Sequence, residues 1–117
     1  MSRIRHLTFS EGETWPIDCT FLDSDGEALD LTGATIKWSV ATRPGEIAIV
    51  EATTGNGLIT ITSPATAGLA TILVPKANHS SATPRTYLHE AEVTLASGIV
   101  TIPFSGRLTV RDSIFVV

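Results

Sequence analysis

Apolar residues in this chain recur at every second position, and helical spacing is hard to find. In "TWPIDCTFL", Trp15, Ile17, Cys19 and Phe21 fall on one side, with Asp18 and Thr20 on the other. In "ATIKWSVAT", Ile36, Trp38 and Val40 alternate with Thr35, Lys37 and Ser39. Successive side chains of a strand point to opposite faces, so this period predicts half-buried β-strands. "EIAIVEAT" offers a shorter candidate with Ile47 and Ile49 on one face, and "GLITITS" one with Ile59 and Ile61. "LATILVP" divides into Leu69, Thr71 and Leu73 against Ala70, Ile72 and Val74. "TYLHEAEVTLA" aligns Tyr87, His89, Ala91, Val93 and Leu95, and "IVTIPF" and "RLTVRDSIFVV" supply the last strands.

The punctuation agrees. "DSDG", "RPG", "TGNG" and "ASG" are turn sequences, because Gly and Asn accept the backbone angles of tight turns. They part the strands at the spacing of a β-sandwich. The polar stretch "NHSSATP", residues 78–84, reads as a loop. "SPATAGLA" reads as one helical turn, with Ser63 as its cap and Gly68 as its end. The expectation is an all-β, Ig-like antiparallel β-sandwich of about seven to nine strands, in one domain over residues 1–117.

Charge and cysteine usage narrow the function. Eight basic against twelve acidic residues give a net charge of −4. A nucleic-acid partner needs a concentrated positive field, so none is expected. No apolar run is long enough for a membrane helix, so no membrane partner is expected either. The start "MSRIRHLTF" has no apolar segment of a signal peptide. A single cysteine, Cys19, forms no intrachain disulfide and suits a reducing compartment.

The acidic stretch "DSDGEALDLTGATIKW" invites a calcium reading. Counted from Asp23, however, position 4 is Gly26, position 9 is Leu31 and position 12 is Ala34. An EF-hand loop needs Gly at 6 and Glu at 12, between two helices. The better reading is a turn at Asp25 and Gly26, with Asp23 bonding nearby backbone amides. In "DLTGA", Leu31 is an inward anchor, Asp30 or Thr32 bonds local amides, and Gly33 permits a bend into the next strand.

No catalytic group emerges. The turn carboxylates have nothing to raise a pKa, as a general acid requires. His6 is expected near a frayed terminus, His79 in the polar loop, and His89 in a strand, where a satisfied structural role is expected. Cys19 shares the phase of Trp15 and Phe21 and reads as a buried, inert thiol. No metal site, cofactor or enzymatic activity is expected. Trp15 and Trp38 read as a core pair across the sandwich, and Tyr87 as a tyrosine corner tying down the loop before it.

One resemblance joins these pieces. "FSEGETWPIDCTFLDSDGEALDLTGATIKWSV" resembles the opening of small Ig-like tailed-phage structural proteins. Gly12-Glu13-Thr14 precedes a long strand, Asp23 to Gly26 form a hairpin, and Asp30-Leu31-Thr32-Gly33-Ala34 follow. "AGLATILVP", "TYLHEAEVTLASG" and "GRLTV" are similar to the later strands of baseplate upper protein N-terminal domains. The likeness spans residues 9 to 110, with Arg85-Thr86 replacing the usual Gly before the tyrosine. It implies a non-enzymatic structural or accessory protein of a phage or prophage particle, in the tail, baseplate or neck. It also implies other phage structural proteins as partners, a homo-oligomer or ring in the particle, and a location in the virion and, during assembly, the host cytoplasm. Surface complementarity or strand pairing at a sheet edge would do the binding. The apolar end, Ile114, Phe115, Val116 and Val117, is a candidate interface. The alternative is a carbohydrate-binding module, which needs Trp15, Trp38 or Tyr87 exposed.

Overall fold

A computed structural model describes residues 3–114. Among these described residues nine strands form two packed sheets. They are β1 (Arg3–Ile4), β2 (Leu7–Ser10), β3 (Trp15–Thr20), β4 (Thr35–Ala41) and β5 (Val50–Thr53), then β6 (Ile59–Ile61), β7 (Leu69–Val74), β8 (Arg85–Thr94) and β9 (Val100–Arg111). Two short 3-10 turns, Ala65–Ala67 and Lys76–Asn78, flank β7. The larger sheet runs β1-β9-β8-β4-β5, with β2 also on β9, and the smaller runs β3-β7-β6. This is the Ig-like sandwich expected from the turn spacing. One feature departs from an all-antiparallel fold. β1 and β2 pair with β9 in parallel, Arg3 opposite Phe104 and Leu7 opposite Leu108.

The alternation decides the register. β3 buries Trp15, Ile17 and Cys19, and β7 buries Ala70, Ile72 and Val74. Each fully buried aliphatic or aromatic side chain stabilises the fold by about 1.5–3 kcal/mol. A slip by one residue would expose a whole stripe, which outweighs the entire net stability of a domain of about 5–15 kcal/mol. Leu31, Ile36, Trp38, Val93 and Leu108 complete the same core.

Four expectations need correction. "EIAIVEAT" buries Val50 and Ala52, the opposite phase; Ile47 stays in the turn region, 91% exposed. The two closing strands are one continuous β9. The N-terminal stretch is paired, and His6 does not fray: its Nδ1 accepts the Arg107 backbone N–H at 3.1 Å. The helical turn after Ser63 starts from Pro64 with no side-chain cap, although Gly68 does end it in the left-handed conformation.

Candidate functional site

The acidic turn folds on itself. Asp23 Oδ1 accepts the N–H groups of Asp25 (2.9 Å) and Glu27 (3.0 Å). Only Gly26 takes positive φ there, at 81°, so Asp25 needs no left-handed backbone. Downstream, Asp30 Oδ1 accepts both the amide (3.0 Å) and the hydroxyl (2.6 Å) of Thr32, which lowers the Asp30 pKa. Leu31 is fully buried. Gly33 has φ +71°, and a Cβ there would sit 3.1 Å from that of Ala96. These oxygens are committed to backbone. Among the described residues no group of three His, Cys, Asp or Glu side chains is placed to hold a metal ion.

The aromatic residues are not a platform. Trp15 and Trp38 have no exposed surface and Tyr87 has 3%, which removes the stacking surface a carbohydrate module requires. Nor do the tryptophans pair with each other. Trp15 stacks between Phe9, at 5.2 Å, and His79, at 3.8 Å, while Trp38 meets His89. Tyr87 Oη donates to the Thr83 carbonyl at 2.7 Å, tying the preceding loop to β8. Burial pushes the Cys19 thiol up to about 11, against the opposing pull of Arg5. A thiol held there is protonated at neutral pH and a poor nucleophile.

His79 and His89 are both buried, and both hold backbone of the N-terminal segment. The His79 Nε2 lies 2.6 Å from the Glu13 carbonyl. The His89 Nε2 lies 2.6 Å from the Arg5 carbonyl, and its Nδ1 accepts the Trp38 indole N–H at 3.1 Å. The second pair of contacts fixes the tautomer: a carbonyl can only accept, so the proton is on Nε2. Burial holds His89 below the usual histidine pKa; the bond to Arg5 opposes this, and the charges of Arg5 and His6 add to it.

Directly outside His89 lies a cleft of ≈ 590 Å³ on the outer face of the larger sheet. Strand register builds its floor. One row across the strands is Ser39, Glu90, Ser105 and Ile4; the next is Ala41, Leu88 and Arg107, with His6 beside it. The β4–β5 turn forms the wall, held by an Arg43–Glu46 ion pair at 2.8 Å. Among the described residues neither Glu90 nor Arg107 has an ion-pair partner. Ile4 and Leu88 are exposed apolar groups within this charged frame. Reasoning from the sequence did not reach this cleft, because its floor is assembled from the outward phase of four strands that are distant in the chain.

Two of the sheet edges, β5 and β3, are capped against strand addition. On β5 the Asn56 side chain takes the place of a partner strand: Oδ1 accepts from Thr53 N–H at 3.0 Å and Nδ2 donates to the Glu51 carbonyl at 3.2 Å. The edge of β3 carries Pro16, and Arg5 donates to its Asp18 carbonyl at 2.9 Å. Such capping is how sandwiches avoid pairing edge to edge. Of the apolar C-terminal group, Ile114 is 96% exposed, while Phe115, Val116 and Val117 lie outside the described residues.

No family model matches the chain, and no curated protein does. Among solved structures it is similar to CopC from Methylosinus trichosporium OB3b. That match has 13% identity and a TM-score of 0.52, and covers 95% of this chain and 89% of the other. At that identity the likeness is one of fold. It nevertheless corrects the assignment to a phage or prophage particle, because the fold taken as the mark of a phage module is one shared with CopC. The motifs that suggested the assignment, Asp23 to Gly26 and Asp30 to Ala34, are turn-forming pieces of the sandwich. Phage partners and a virion location rested on that assignment and are not carried further.

Proposed function

We propose that the protein is a non-enzymatic interaction module whose binding surface is the cleft over the larger sheet, and whose partner there is a second copy of the chain. The observation that carries this is the cleft's charge. Arg43 and Arg107 balance Glu46 and Glu90 on a chain of net charge −4. Two copies meeting at this face therefore avoid bringing their net negative charges together. In a two-fold interface residue i meets j and j meets i. Glu90 of one copy can then face Arg107 of the other, twice, around the apolar Leu88.

The remaining chemistry supports binding over catalysis. Asp23 and Asp30 spend oxygens on amides, and both buried histidines are bonded to backbone carbonyls. The caps on β5 and β3 favour face-to-face contact over strand pairing at those two edges.

Light scattering across a concentration series tests the reading. The wild type is expected to show a dimer that Glu90→Arg or Arg107→Glu weakens and the double exchange restores. A single-chain mass at all concentrations, or charge variants without effect, would overturn it.

A further inference from the structure

We propose that His89 gates this cleft: its neutral ring holds the β1–β2 junction against the sheet, and its protonation releases that junction and with it the rim of the binding face. The inference rests on the reading of the cleft as the surface that meets a second copy. Its geometry is independent of that reading.

Arg5 sits between the two strands and is fixed from three sides. Its N–H donates to the Ser105 carbonyl at 2.9 Å, its carbonyl accepts from His89, and its side chain reaches Asp18. Its neighbours in the chain, Ile4 and His6, are the residues this segment contributes to the cleft. Gly106 makes the approach possible, because a Cβ there would collide with the Arg5 carbonyl. The cleft rim is therefore held in part through one imidazole underneath it.

That imidazole has no room for a second proton. Nδ1 accepts from Trp38, so protonation would set two N–H groups against each other inside the core. From the N-terminal segment, Arg5 and His6 place positive charge near the ring. β4 faces it with Trp38 and β9 with Phe104 and Gly106, none of which carries charge. Glu90, next along β8, points to the outer face and lines the cleft. No acidic side chain facing the ring compensates an imidazolium, and the Arg5 carbonyl offsets the burial and the nearby positive charge only in part.

The sign follows. The folded pKa lies below the unfolded value of about 6.5. Above that value both states are neutral and the His89 contacts contribute in full. As pH falls through it, the released form takes up the proton first, and the contribution is lost toward the folded pKa.

The test uses the full chain at about pH 7.5 and about pH 5.5, a window in which histidine is the side chain that titrates. Two quantities are read: the self-association constant, and the exchange protection of the Arg5 amide against that of the Phe21 amide, which bonds Gly68 in the other sheet. Association is expected to weaken by up to about tenfold per pH unit for each copy's His89, with protection lost at Arg5 and kept at Phe21. His89→Gln, which does not titrate, should associate equally at both values. A dimer unchanged in acid, with Arg5 still protected, overturns the gate and leaves the face intact. A pH response that survives in His89→Gln assigns it elsewhere and also overturns the gate. A single-chain mass at both values defeats the reading of the face, and the gate with it.

Discussion

Two buried histidines, each beside a buried tryptophan, hold the same N-terminal segment by different means. His89 works edge-on from the middle of β8, with one ring nitrogen on Arg5 and the other on Trp38. His79 works face-on from a loop, stacked on Trp15 with rings 5° from parallel, while the Trp15 N–H goes to the Ser10 carbonyl instead. The first arrangement encloses its bond to Trp38 within the sandwich, while its bond to Arg5 is part-buried beneath the cleft. The second borders solvent, since Glu13, whose carbonyl His79 contacts, lies on an exposed turn. The same pair of residue types thus makes a deep junction that depends on protonation and a shallow clamp that depends on a loop.

Replacing each histidine by leucine should break the symmetry most strongly. His89→Leu strands the buried Trp38 N–H and the part-buried Arg5 carbonyl, and replaces a ring packed against Trp38 and Phe104. Each unsatisfied buried group costs about 1–3 kcal/mol, so a loss of about 3 kcal/mol or more is expected. His79→Leu strands one carbonyl that water can reach, and about 1 kcal/mol is expected. Urea midpoints at fixed pH measure both. Equal losses would mean that the two sites are not differently enclosed.

The contrast also separates what the chain reveals in its sequence from what it conceals. His89 occupies the inward phase of an unbroken alternation, so its burial could be read directly. His79 lies in "NHSSATP", where composition points to solvent, and only packing against Trp15 turns it inward. "EIAIVEAT" misled because Ile49 and Val50 are adjacent apolar residues and fit either phase, and the longer turn after Ala41 selects Val50. "RIRHLTF" shows alternation only at Leu7 and Phe9, and its parallel pairing rests on contacts to Arg5 and His6 that no local pattern announces. Gly106 gave no turn signal either, because what it provides is space for another segment. Gly106→Ala is the next largest test. Pushing the Arg5 backbone aside should cost about 2 kcal/mol. In a nitrogen–proton NMR spectrum it should move the Trp38 indole signal and leave that of Trp15 in place. If both move together, the two clamps are one mechanical unit.

The smallest expected effect reaches only the shallow clamp. Tyr87 is the third residue of β8, yet its hydroxyl bonds back to Thr83, inside the loop that carries His79. That loop is also closed by the Ala82 N–H on the His79 carbonyl at 2.9 Å. Tyr87→Phe keeps the buried ring and removes the hydroxyl's bonds to the carbonyl and side chain of Thr83, a residue open to water, for which about 1 kcal/mol is expected. Because the tie runs to the loop and not along β8, the loss should be local. The Ala82 amide should exchange faster and the His79 and Trp15 ring signals should shift, while His89 and Trp38, two residues further along β8 and across on β4, stay unmoved. A shift at His89 of the same size would show that strain passes along the strand, and the deep junction would then depend on the loop as well.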